Sequence, residues 1–222
     1  MTGTHHHNAA VLMGDLVRSE RAADPDRLHA AFNATVSTEN ARHADALASP
    51  LTITLGDEFQ GLATTLAAAA RIARDLRLSL MDNGIDCRFV IGTAAIKTPI
   101  NPAKAWNMLG PGLAEAREKL NEKKPDRFYR FTLAGSPLIE ELLDALGAGL
   151  STIERGWTDR QRADIAVLLG GATPSELADT RKVSVHSVYK VRSSGHYDTY
   201  RLQWQAIEAA LGEIDREAGL NR

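Results

Sequence analysis

The chain has 222 residues, 44% hydrophobic and 24% charged, with a formal net charge of -2. That length suits one large domain or two small ones, and the composition excludes a disordered chain. A near-neutral balance gives no global pull toward nucleic acid or membrane, so any nucleic-acid site has to be a local patch. No apolar run approaches the ~18 residues of a membrane span. The start, MTGTHHHNAA, lacks the charged region, apolar core and cleavage pattern of a signal peptide. The single cysteine, Cys87, lies in an apolar run and reads as a small core residue, which fits a reducing cytoplasm. His5, His6 and His7 precede the first strand-like run and read as a frayed tail.

Residues 9–13 read as a buried strand ending at Gly14-Asp15. Asp24-Pro25-Asp26 signals a helix start, and the helix is expected over about 25–46, with Leu28, Phe32 and Val36 on one face. Ser49-Pro50 breaks the pattern. Residues 51–55 and 59–62 then make a hairpin around Gly56-Asp57-Glu58. Residues 64–81 are rich in alanine and leucine, carry Arg71, Arg74 and Arg77, and predict an amphipathic helix closed by Asp82-Asn83-Gly84. Residues 87–95 form another buried strand, and 102–108 a short helix. Gly110-Pro111-Gly112 opens a helix to about 123, followed by a strand over 128–133 and a helix over 137–146.

This order, with its antiparallel central hairpin, predicts an α+β fold: a ferredoxin-like (split βαβ) sheet with helices on one face. The glycine-rich residues 147–156 mark a boundary between a domain over 1–148 and an all-α domain over 149–222. The second part reads as three short helices, over 158–169, 173–180 and 184–193, and a longer one over 197–218.

Two segments carry acids in the same setting. Asp15 in MGD and Asp57 in LGDE each follow a strand and a glycine. In a split-βαβ sheet the first strand lies beside the central hairpin, so both carboxylates are expected at one edge. Hard divalent ions such as Mg²⁺ are held by one or two carboxylates with substrate phosphates and water. Two such ions promote phosphoryl transfer. The backbone N–H groups of Leu16, Val17, Arg18 and Ser19 are candidates for phosphate oxygens. Acids and glycine are also ordinary turn formers.

ITLGDEFQGL resembles the hairpin of class III nucleotidyl cyclases, and its GDEF is similar to the diguanylate-cyclase signature. AVLMGDLVRS resembles the first-strand metal segment of the cyclases, CRFVIGTAAI a later strand and GPGLAEAREKL the helix after it. The combination GDLVRS, SPLTITLGDEFQGL, GTAAI and GPGLAEAR resembles the SatD family, cyclase-like proteins with a helical C-terminal part. The resemblance implies metal roles (Mg²⁺ or Mn²⁺) for Asp15, Asp57 and Glu58. It also exposes departures. The purine-reading lysine of cyclases falls on Ile53 here, and their helix asparagine and arginine fall on Ala114 and Glu118. Arg117 stands one residue out of step, about 100° around a helix. The missing groups are those that orient a ribose and stabilise transferring charge. That favours a nucleotide-binding or degenerate domain over an efficient cyclase, with Arg18 and Arg117 as candidate phosphate contacts.

In the second half, Thr158-Asp159 caps a helix and Gly170-Gly171 ends it. Thr173-Pro174-Ser175-Glu176 is a capping box with proline in the first turn. Ser184 caps a third helix with Val185, Val188 and Val191 spaced three apart. Two short helices joined by a tight turn are a helix-turn-helix. The pattern T-x-R-Q, G-x-T-x-x-E-L-A, V-S-x-x-S-V resembles sigma-factor region four and response-regulator DNA-binding domains. His186, Ser187 and Lys190, following Ser184, are expected at base edges. Arg181, Lys182 and Arg192 are expected on phosphates. Trp157, Tyr200 and Trp204 read as core or dimer-face residues, and Leu202, Ile207 and Leu211 as a face that could pair with a second copy.

The preferred reading is a cytoplasmic DNA-binding transcriptional regulator, with double-stranded DNA as partner, a nucleotide ligand for the sheet domain, no membrane contact and a homodimer as candidate assembly. The alternative is a divergent nucleotidyl cyclase making a cyclic or linked nucleotide, with the helical part regulatory.

Overall fold

The computed structural model describes residues 7–124 and 126–220, so the reading of His5 and His6 lies outside the described residues. Five strands form one sheet: β1 (His7–Leu16), β2 (Leu47–Leu55), β3 (Glu58–Ala63), β4 (Cys87–Ile96) and β5 (Tyr129–Thr132), in the order β2-β3-β1-β4-β5. β1 runs antiparallel to β3 and β4, and β2 antiparallel to β3. β1 is central and every residue from Ala9 to Leu16 is buried, which is why it reads as a near-continuous apolar run. β5 joins β4 in parallel. A parallel neighbour needs a crossover, and helix α3, defined below, supplies it.

The helices are α1 (Pro25–Arg42), α2 (Leu66–Asp82), α3 (Leu113–Asn121), α4 (Pro137–Arg155), α5 (Asp159–Leu169), α6 (Pro174–Arg181), α7 (Val185–Ser194) and α8 (Tyr197–Ala218). Among the described residues, no helix is long and apolar enough to cross a membrane. α1, α2 and α4 cover one face of the sheet, over Ala10, Leu12, Phe59, Phe89 and Ile91. α3 covers the other, over Val11, Met13, Leu62 and Val90. The expectation of helices on one face alone is therefore corrected. The loop before α3 pairs with the end of β4, Ala95 N–H donating to the Pro111 carbonyl at 2.9 Å. Gly112, at φ 92°, sits where a Cβ would meet the Thr93 carbonyl oxygen at 2.2 Å. Only glycine lets the chain turn there onto the second face.

Residues 102–108 are not helical, contrary to expectation. Their backbone is engaged by side chains instead. Asn101 Oδ1 accepts from the N–H groups of Ala103 and Lys104. Thr52 Oγ1 accepts from Ala105 N–H, and Gln60 Nε2 donates to the Ala105 carbonyl.

The larger correction lies at residues 147–156. α4 runs on through Arg155, so the glycine-rich stretch is helix rather than linker, and the expected division at 148 falls inside it. Gly147 is there for closeness: a Cβ would meet the Tyr129 carbonyl oxygen at 2.3 Å. Ser151 Oγ donates to the Gly147 carbonyl and accepts from Phe128 N–H at 2.8 Å, which locks α4 to the start of β5.

The two halves share one hydrophobic cluster. A run of aromatic contacts crosses it, from Phe32 through Phe59, Phe89, Tyr129 and Trp204 to Tyr200 and Trp157. Those three late aromatics are core residues. Ile207 and Leu211 of α8 are buried within the chain as well, which removes them from any dimer face, while Leu202 stays exposed. Asp215, on the same helix, accepts from Leu66 N–H at 2.7 Å and Ala67 N–H at 3.1 Å, capping the start of α2. Cys87 is buried, as expected.

Candidate functional site

Along β1, β3 and β4, alternation puts Asp15, Glu58 and Arg88 on the α3 side of the sheet, paired across the strands. Asp57 stands in the tight turn before Glu58. The end of β1 is tied to that turn by Leu16 N–H donating to the Asp57 carbonyl at 3.0 Å. So the expected meeting of Asp15 and Asp57 occurs, around a small cavity of about 170 Å³ that Arg18, Ser19, Arg88 and Lys123 also line.

Asp15 is buried and its Oδ2 is ion-paired with Arg88. Burial pushes its carboxyl above the ordinary aspartate range. The Arg88 guanidinium works against that shift, and the charges of Asp57 and Glu58 add to it. Asp57 Oδ2 accepts from Ser19 Oγ at 2.5 Å. Glu58 pairs with Arg117 at 3.2 Å, and Arg117 also donates to Gln60 Oε1 at 2.9 Å. Being one residue out of step thus turns Arg117 toward the sheet, while Ala114 and Glu118 are exposed. Ile53 packs on the opposite side of the sheet, among the α1 and α2 residues.

The expected phosphate cradle is half engaged. Leu16 N–H is used as described, and Val17 N–H donates to the Asp86 carbonyl at 2.8 Å. Arg18 adopts a left-handed φ of 60° and is exposed, and Ser19 follows it into a short 3-10 turn. The donor set fits a hard divalent ion in one respect: Asp15 and Asp57 each have one oxygen held, and their Oδ1 atoms make no hydrogen bond among the described residues. Arg88 and Lys123 were missed from the sequence. A charged residue inside the apolar run CRFVIG was the available signal for Arg88.

In the helical half, α5, α6 and α7 pack around Ile165, Leu177, Ala178 and Val188. Both capping boxes form, Thr158 with Gln161 and Thr173 with Glu176. Lys182 makes the turn at φ 53°. Ser184 caps α7, its Oγ accepting from Ser187 N–H at 3.2 Å. Of the three valines only Val188 is fully buried, and Val185 is exposed. His186, Tyr189 and Lys190 are exposed along the outer face of α7, and Ser187 is half-buried. Arg181 pairs with the buried Asp164 at 2.7 Å. Arg192 pairs with Asp198 at 2.6 Å and lies over the rings of Tyr189 and Tyr197. Of the cations expected on DNA, Lys182 and Lys190 make no ion pair among the described residues, while Arg181 and Arg192 do.

Among solved structures, the chain is similar to a bacterial light-regulated adenylyl cyclase, with a TM-score of 0.44 at 12% identity over 58% of this chain and 44% of that one. It is also similar to the adenylyl cyclase CyaB from P. aeruginosa, with a TM-score of 0.41 at 10% identity over 53% of this chain and 73% of that one. A third is the guanylate cyclase domain of RhGC from Catenaria anguillulae in complex with GTP, with a TM-score of 0.37 at 17% identity over 50% of this chain and 70% of that one. The chain spans less than half the length of the first of these. No curated protein sequence matches it. The sheet and the helices from α1 to α7 lie together within one family match, over residues 9–194, and the chain belongs to the SatD family.

Proposed function

We propose that this protein is a DNA-binding transcriptional regulator whose cyclase-like domain holds a nucleotide phosphate. The observation that carries the reading is the free outer face of α7: His186, Tyr189 and Lys190 are exposed over consecutive turns while Val188 anchors the helix from behind. A helix so held suits the major groove of double-stranded DNA. Lys190, first expected at a base edge, and Lys182 would each supply a charge to the phosphates that border the groove. Arg181 is already paired with Asp164 of α5, and Arg192 ties α7 to Asp198 of α8.

The test is fluorescence anisotropy of the full chain on a pool of random duplexes, read across salt concentration. In Lys182→Ala/Lys190→Ala, affinity is expected to fall and the slope of log affinity against log salt to drop by about 2, one for each lost phosphate contact. An unchanged affinity and slope sinks the reading.

A second reading is favoured by one observation, the two unbonded Oδ1 atoms of Asp15 and Asp57 beside Arg18, Ser19 and Lys123. Mg²⁺ or Mn²⁺ would be held there by Asp15 and Asp57, and its chemistry would be neutralisation of phosphate charge. Arg18 and Lys123 would steady the phosphate, and Ser19 orients Asp57. Arg88 opposes a cation by already countering Asp15. Incubation with the four NTPs and Mn²⁺, read by mass spectrometry beside Asp57→Ala, separates the two readings. A cyclic or linked nucleotide absent from the variant makes the protein an enzyme. No product leaves a binding domain, whose nucleotide affinity Asp57→Ala is then expected to abolish.

A further inference from the structure

On the far side of the sheet from Asp15, α1 and α2 bring together Glu39, His43 and Asp75. His43 is the residue that ends α1, and its N–H donates to the Glu39 carbonyl at 3.0 Å, which sets it one turn beyond Glu39. One ligand atom from each of the three lies within 4.8 Å of the others. His43 Nε2 stands 3.4 Å from Glu39 Oε2 and 3.2 Å from Asp75 Oδ2. We propose that these three residues bind one divalent transition ion of the zinc class.

Three features separate this cluster from an ordinary surface ion pair. First, Glu39 is a carboxylate with 1% of its surface exposed, inside a helix layer. A charge is buried there only with strong compensation. Second, His43 Nε2 is buried and makes no hydrogen bond among the described residues, although two carboxylate oxygens face it. A ring nitrogen that faces two carboxylate oxygens and bonds neither leaves room for a cation between them. Donors about 2.0 to 2.1 Å from a tetrahedral zinc ion lie about 3.3 Å apart, close to the separation of His43 Nε2 from each carboxylate oxygen, while the two carboxylates lie within 4.8 Å of each other. Third, the outer oxygens are already held. Ser79 Oγ donates to Glu39 Oε1 at 2.8 Å, and Arg74 Nε to Asp75 Oδ1 at 3.2 Å. Metal-binding carboxylates are oriented by such partners. Imidazole with carboxylate is a donor set that zinc accepts.

Two cations oppose the ion. Arg42 lies 3.4 Å from both oxygens of Glu39, and Arg74 is shared between Asp75 and Glu208. Arg42 is largely exposed and free to swing away. The cluster borders a cleft of about 520 Å³ between the α1–α2 layer and α5, lined by Asp75 and Ser79 on one side and by Ala166 and Gly170 on the other. A fourth ligand, water, would enter from it.

The test is titration of chelator-stripped protein with Zn²⁺ alone, against a chromophoric competitor. The full chain carries His5→Ala, His6→Ala and His7→Ala, so that the N-terminal histidines contribute nothing. One Zn²⁺ per chain is expected, together with a raised melting temperature. Affinity is expected to fall at least tenfold in His43→Gln and in Asp75→Asn, and to be unchanged in Asp57→Asn. Absence of stoichiometric binding overturns the proposal. So does binding retained in His43→Gln, or binding lost in Asp57→Asn. Far-UV circular dichroism without zinc checks that the variants fold. Should they not, X-ray absorption of the zinc-loaded His5–7 variant decides. A shell of one imidazole nitrogen with oxygens supports the site, and a shell without imidazole overturns it.

Discussion

Two buried carboxylate–arginine pairs lie in the same fold and differ in what is left over. Glu154 of α4 has both oxygens fully engaged. Its Oε1 accepts from the hydroxyls of Tyr129 at 2.6 Å and Tyr200 at 2.8 Å, and its Oε2 from Arg77 Nε at 3.0 Å. Arg77 in turn donates to Asp86 and stacks 4.1 Å from the centre of the Phe128 ring. Burial drives both tyrosines well above their ordinary range, and the Glu154 charge drives them further. They stay protonated as donors. Asp15 and Arg88, by contrast, border a cavity and leave an oxygen over. A buried charge that is fully satisfied is architecture, whereas a buried charge with spare valence is where a ligand would act.

The largest expected effect breaks the first of these. Glu154→Ala leaves Arg77 Nε and two hydroxyls without their partner in the core, and loss of about 3 to 5 kcal/mol is expected in urea unfolding. A loss below about 1 kcal/mol would show that the knot is not architecture. Asp57→Asn sharpens the contrast from the other side. It keeps an acceptor for Ser19 and removes only a half-buried charge, so the same measurement should move by less than about 1 kcal/mol while nucleotide binding is lost. The smallest effect is on the helix-turn-helix. Hydrogen bonds from the Thr173 N–H and hydroxyl hold the exposed Glu176 carboxyl below its usual range. Its capping is therefore fully present above the unfolded glutamate value, about pH 4.3, and is lost as pH falls through the lower folded value. Glu176→Gln cannot titrate. The gap in melting temperature between the two proteins should accordingly close on going from pH 6 to pH 3.

Much of this was legible in the sequence. Turn residues and strand patterning gave the split-βαβ order, and the Thr173 capping box placed α6 to within a residue. The meeting of Asp15 and Asp57 followed from two strands ending alike. What escaped depends on contacts between distant segments. Gly147 reads as a breaker until the β5 backbone is seen against it. Arg77 reads as a solvent-facing arginine until Glu154 arrives from a helix 77 residues later. Ile207 and Leu211 read as a free apolar stripe because their cover, α2, lies far upstream. Glu39, His43 and Asp75 carried no motif, since the third member comes from another helix.

The reach of α8 has a consequence for the order in which the protein is made. Asn8, at the start of β1, donates from Nδ2 to the carbonyl of Ala218, and Asp215 caps α2. During synthesis β1 and α2 leave the ribosome long before either partner. The first N–H groups of α2 and the ring of Tyr129 must wait for α8, so this side of the core is covered only when the late helix folds back over it. The nascent chain meanwhile holds an open apolar face, and the time for which it does so is set by the length of everything between Leu66 and Asp215.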